Sequence, residues 1–224
     1  MNQPKVSLNQ IGEYLEANPA RRKKIVQEAK YPKKFITARY STAKKIIRQY
    51  ILSDYDNTLL THSIDKLEKK KTDKPFQEQD RILSLELLRG LQSSILPNLD
   101  GLTINIVEGK LPKTNISGIQ ININPDFIIR GKYRGKKVVG GIKLSIAKRR
   151  VISKNSADTI TVLLKDFLEK YIAKDDEIVK STLCLSVDAF RNKYFFAPNT
   201  YRRKLNHIST ACEEIAMRWR EMVA

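Results

Sequence analysis

Residues 124–144 read NPDFIIRGKYRGKKVVGGIKL, and the fold turns on how this stretch pairs with itself. Asn124-Pro125-Asp126 opens an apolar run rich in β-forming residues, Arg134-Gly135 supplies a turn, and a second apolar run carries one ammonium, Lys143. A two- or four-residue loop centred on Arg134-Gly135 sets Asp126 opposite Lys143 on one face of a hairpin, with Cβ atoms ~4.5–5.5 Å apart. A three-residue loop would turn every side chain of one strand to the other face. The residues leave two readings of the pair: an ordinary cross-strand ion pair, or an acid and a cation assembled for chemistry. Gly140-Gly141 inside the second run points to a bulge or a close backbone approach.

Outward from the hairpin, helix and strand signals alternate. A helix is expected over 76–95, carrying Ile82, Leu83, Leu87 and Leu91, followed by a strand over 102–107. The hairpin strands are expected at 119–133 and 137–146. The spacing of Ile160, Leu163, Leu164, Phe167, Leu168 and Tyr171 predicts a helix over 156–173. Leu183 to Phe190, LCLSVDAF, reads as a strand buried on both faces, and Arg191-Asn192-Lys193 turns it toward Tyr194–Phe196. From Tyr201 onward, Leu205, Ile208, Cys212, Ile215, Trp219 and Met222 form the single apolar seam of a last helix. The order of helix, three strands, helix, strand and helix describes an α/β domain with a mixed sheet covered by helices.

Before this core, residues 1–55 read as a basic helical region. Ser7 and Gln10 form a capping-box pattern, Asn18-Pro19 starts a second helix bearing Arg21, Arg22, Lys23 and Lys24, and a third carries Phe35, Ile36, Tyr40, Ala43, Ile46, Ile47 and Tyr50 with Lys44, Lys45 and Arg48 off that face. Three short basic helices fit either a helix-turn-helix or a brace packed on the main domain. The like-charge run KLEKKKTDKP, 66–75, reads as solvated, so 56–75 is expected as a charged linker and 76–224 as the core with its C-terminal helix.

Forty-two Lys and Arg against 24 Asp and Glu give a net charge of +18. The excess is concentrated: residues 1–55 hold 12 basic and 4 acidic groups, and residues 127–150 hold nine basic and no acidic ones. Clustered cations displace counterions from phosphates, so a nucleic acid is the expected partner. Charges interrupt every apolar stretch before membrane-spanning length, so no membrane association is expected. MNQPKVSLNQIGEYL lacks an apolar signal core, which together with only two cysteines, Cys184 and Cys212, predicts a cytoplasmic protein with reduced thiols. There is no phosphate loop, zincin or serine-hydrolase motif, and His62 and His207 stand alone.

Pro125-Asp126 in the second strand and Gly141-Ile142-Lys143 in the third, within this order of elements, resemble the PD-(D/E)xK, or restriction-endonuclease-like, nuclease superfamily over residues 76–200. The resemblance implies a restriction-endonuclease-like core with an N-terminal helical extension, and metal-dependent cleavage of nucleic acid, DNA in the first instance. It also implies Mg²⁺ or Mn²⁺ held by Asp126 and the Ile142 carbonyl, with Lys143 as the catalytic ammonium. Gly141 departs from the pattern, since it offers no second carboxylate. Glu108, Glu86 and Asp188 are candidate replacements, Glu108 the one assigned to the metal, and Asn124 a neutral oxygen on the same face. The alternative is a catalytically inactive scaffold that binds nucleic acid, alone or within a larger complex. Around the hairpin, Arg130, Lys132, Arg134, Lys136, Lys137, Lys148, Arg149 and Arg150, with Arg21, Arg22, Lys23 and Lys24, are the expected phosphate contacts. A homodimer or protein partner would dock on the C-terminal seam if the seam stays exposed.

Overall fold

The computed structural model describes residues 3–32, 39–91, 95–107, 109–148, 151–199 and 201–222. Glu108, Arg149, Arg150, Phe35 and Ile36 lie outside them. The chain is mixed α/β. Its elements run β1 (Lys5–Ser7), α1 (Leu8–Tyr14), α2 (Pro19–Lys30), α3 (Ser41–Leu52), α4 (Asn57–Lys69), α5 (Pro75–Arg89), β2 (Leu102–Ile106), β3 (Thr114–Ile116), β4 (Ile119–Asn122), β5 (Phe127–Tyr133), β6 (Lys136–Ser145), α6 (Lys154–Tyr171), β7 (Glu177–Asp188), β8 (Lys193–Phe196) and α7 (Tyr201–Glu221).

The central sheet has the order β2-β5-β6-β7-β8. Its first three strands are antiparallel neighbours, α6 then carries the chain over so that β7 lies parallel to β6, and β8 returns antiparallel. Alternation along the strands divides the apolar side chains between two layers. Ile128, Val139 and Cys184 join α1, α2, α6 and α7 on one side. Phe127, Ile129, Ile142, Leu144, Leu185 and Val187 join α3, α4 and α5 on the other. The basic N-terminal helices therefore brace both faces of the sheet.

Several expected elements are redrawn. The strand expected over 119–133 breaks at Asn124-Pro125: β4 joins a small second sheet, parallel to β1 and antiparallel to β3, while β5 starts afresh at Phe127. Proline has no N–H to donate to a ladder, so the change of sheet falls where pairing would fail anyway. Most of the segment expected as linker is α4, whose Leu60 and Leu67 are buried in the α3–α5 layer. On α5 the buried face is Ser84, Leu85, Leu87 and Leu88, whereas Ile82 is exposed. Tyr171 is exposed at the end of α6.

The α7 seam is consumed internally. Ile208, Cys212, Ile215 and Trp219 are buried against α1, α2 and α6, so these seam residues face the interior and not solvent. Burial pushes the thiols of Cys184 and Cys212 up to about 12, which leaves both as unreactive apolar fillers. No helix among the described residues is long and apolar enough to cross a membrane.

Candidate functional site

The hairpin closes with Tyr133 opposite Lys136, so Arg134-Gly135 is a two-residue loop, both residues at positive φ (50° and 78°). This is the primed turn whose twist matches the flanking strands. The register it sets pairs Phe127 with Ile142. One step earlier the Asp126 N–H donates to the Ile142 carbonyl at 2.7 Å, and Asp126 faces Lys143 as the sequence implied, Oδ2 to Nζ 3.1 Å.

Asp126 is 1% exposed and accepts from four groups. Lys143 Nζ and the Leu144 N–H (2.9 Å) engage Oδ2; Lys44 Nζ and Arg48 Nη2, each at 2.8 Å, engage Oδ1. Lys44 and Arg48 are one turn apart on α3 and so project together. The helix is aimed by α5. Tyr40 precedes it in the left-handed region with no side-chain cap, and the buried Asp80 takes the cap's place. Its carboxylate accepts from Ser41 N (2.9 Å) and Thr42 Oγ1 (2.7 Å), while Ser84 Oγ accepts from Ala43 N (3.2 Å).

Burial by itself would raise the Asp126 carboxyl; the nearby Lys143 and Lys44 ammoniums, the Lys44 hydrogen bond and the Leu144 N–H outweigh it and hold the group below the usual carboxylate range. Lys143 is pulled down from the ordinary lysine range, chiefly by burial, against the attraction of Asp126 and with the repulsion of Lys44 and Arg48. Lys143 Nζ also donates to the Asn124 carbonyl at 2.6 Å. Asn124 thus contributes a backbone oxygen from outside the strand, and the residue itself is exposed.

Among the described residues the donor set does not offer the several free oxygen ligands that Mg²⁺ or Mn²⁺, hard ions, require. Both Asp126 oxygens already accept from cations and an amide, and the Ile142 carbonyl accepts a ladder hydrogen bond. A Cβ at Gly141 would lie 3.2 and 3.4 Å from methyl groups of Leu168 and Leu164, against α6. Glu86 pairs with Lys148 at 2.5 Å. Asp188 accepts from Phe190 N (3.2 Å) and Arg191 Nη1 (3.0 Å), capping its own turn. Among the described residues no three His, Cys, Asp or Glu side chains converge as a metal cluster.

The expected phosphate contacts separate into two groups. Arg21 is bound to Glu13 (2.6 Å) and Glu28 (3.0 Å), Arg22 to the Tyr14 carbonyl and Glu214, Arg130 to Glu177 (2.8 Å), Lys137 to Asp176 and Lys148 to Glu86. Lys23, Lys24, Lys132, Arg134 and Lys136 are exposed with no acidic partner among the described residues. The hairpin tip stands seven residues up β5 from Asp126, roughly 20 Å at a strand's rise. It is a separate surface and does not surround the acid. Lys44 and Arg48, the residues that define the Asp126 site, are visible in the sequence only as basic positions off an apolar helical face. Nothing local says that this helix meets the hairpin.

No family model matches the chain, and no curated protein matches its sequence.

Proposed function

We propose that this chain binds nucleic acid, DNA in the first instance, without cutting it, on a restriction-endonuclease-like core that carries its own cations where an active relative would carry metal. The order α5, β2, β5, β6, α6, β7, with an antiparallel hairpin and a parallel crossover, supports the core. One observation carries the loss of cleavage: the Asp126 carboxylate is saturated by Lys44, Arg48, Lys143 and the Leu144 amide. That leaves no open oxygen to position a metal or activate water. The unpaired exposed cations supply a sequence-independent grip on phosphates, with affinity falling as salt rises.

The test is cleavage and gel shift read side by side on single- and double-stranded DNA and RNA, with Mg²⁺ or Mn²⁺, for the wild type and Asp126→Asn. A salt-sensitive shift with intact substrate for both proteins is expected. Metal-dependent cleavage present in the wild type and absent in the variant would overturn the reading.

A further inference from the structure

The two faces of the β5–β6 tip are treated differently. On one, Arg130 is neutralised by Glu177 and Lys137 by Asp176. On the other stand Tyr133, 46% exposed, its cross-strand partner Lys136, and the neighbouring Ile178, 50% exposed. Lys180 places its ammonium over the Tyr133 ring, and the Arg134 guanidinium lies 5.4 Å from the ring centre. Arg134, Lys136 and Lys180 have no acidic partner among the described residues, and the acids close by, Asp176 and Glu177, are engaged on the opposite face, the one that also carries Lys132.

Two features of this tip cost stability. Arg134 holds φ 50°, a left-handed conformation that glycine or asparagine fills more readily in such a turn. Lys132 is directly opposite Lys137, a like-charge cross-strand pair that the exposed Lys137–Asp176 ion pair offsets only in part. A hairpin shaped by folding alone has no use for either, whereas a ring flanked by cations at an exposed tip suits a ligand that alternates flat bases with phosphates.

We propose that Tyr133 is a base-stacking platform for single-stranded nucleic acid, the base displacing the Lys180 ammonium from the ring face and Arg134, Lys136 and Lys180 gripping the phosphates on either side of it. The proposal rests on the nucleic-acid-binding reading above and adds strandedness to it. Duplex bases are already stacked on one another and cannot reach the ring, so a duplex meets this surface through charge only. DNA and RNA single strands share the chemistry and are distinguished by the test.

The experiment measures binding of the full chain to a fluorescent 15-mer of dT, its rU counterpart, an abasic deoxyribose-phosphate strand of equal length and a duplex. Wild type, Tyr133→Ala and Tyr133→Phe are compared across a salt series. Tyr133→Ala is expected to weaken binding to the dT or rU strand by roughly tenfold. Its salt slope, its duplex and abasic affinities and its melting temperature should stay as in the wild type, and Tyr133→Phe should retain the binding. Replacing Lys136 and Lys180 by Met should lower the single-strand salt slope by about 0.7 for each phosphate that is no longer neutralised. Equal affinity of wild type and Tyr133→Ala for single strands, or equal losses on single strand, abasic strand and duplex, would overturn the platform while leaving nucleic-acid binding standing. Absence of salt-sensitive binding to every strand would sink both.

Discussion

Gly141 shows how one missing side chain determines what a site can become. A Cβ there falls in ordinary to tight contact with Leu164 and Leu168 of α6, so a carboxylate at this position would be driven into an apolar layer. Gly141→Glu is therefore expected to destabilise the protein by about 3 kcal/mol or more and to create no metal-dependent cleavage. Denaturant midpoints and a nuclease assay read the two parts separately, and a stable, cutting variant would contradict the placement. Gly140 is constrained more tightly still, because a Cβ would sit 2.3 Å from that of Leu183 where β7 bulges past β6.

Asp126 makes a pH-dependent prediction. Its folded-state carboxyl is held below its unfolded value, so the stability it adds is present above the ordinary carboxylate pKa near ~4 and is lost as pH falls through that range toward the depressed folded value. Asp126→Asn removes this dependence and leaves three half-buried cations uncompensated. At neutral pH the variant should be destabilised by about 3 kcal/mol or more, with the gap to wild type narrowing as pH falls below ~4. Urea midpoints from pH 7 to pH 3 for both proteins measure it. A gap that stays constant across that range would mean Asp126 does not hold its charge through these cations.

At the scale of elements, α3 makes the Asp126 site what it is, and α5 aims α3. Asp80 is buried and accepts from both Ser41 and Thr42 at the start of the helix, so Asp80→Ala strips the cap from the element that delivers Lys44 and Arg48. A loss of about 2 kcal/mol is expected, at the upper end for caps because the orphaned donors are partly buried. Asp80→Asn, which keeps one acceptor, should recover part of it. If thermal melts of Asp80→Ala match the wild type, α3 is aimed by something other than its cap. Local chemistry made the hairpin legible in the sequence: the Arg134-Gly135 turn and the period of two set the register and hence the Asp126–Lys143 pairing. The α3 contact depends on packing between residues 78 positions apart, which no periodicity reports. α4 is hidden in the sequence for a different reason: the charge run at its C-terminal end masks the helical spacing of Leu60, Ile64 and Leu67, which are the residues that pack into the α3–α5 layer. The break at Pro125 was written in the sequence as a proline, but the partner that makes the break useful, β1, lies more than a hundred residues earlier.

For the whole molecule, the consequence is that the basic N-terminal region is structurally inseparable from the sheet. Val6, Leu8, Ile11, Tyr14, Ile25 and Val26 are all buried in the layer that α6 and α7 form over the sheet, β1 supplies one strand of the small sheet, and Lys30 Nζ donates to the Trp219 carbonyl at 2.7 Å near the end of α7. Six such side chains contribute roughly 1.5–3 kcal/mol each, together comparable with the ~5–15 kcal/mol that holds a whole domain folded. Deleting residues 1–30 would therefore expose the apolar faces of α6 and α7 without leaving an independent core behind. The truncated chain is expected to lose cooperative thermal unfolding and to bind a hydrophobic dye, while the full chain melts in a single transition that excludes it. A truncated protein with a sharp melt and no dye binding would show instead that the core from α3 onward folds alone. In that case the first two helices are an appended arm, and their exposed Lys23 and Lys24 could be assigned to nucleic acid without regard to stability.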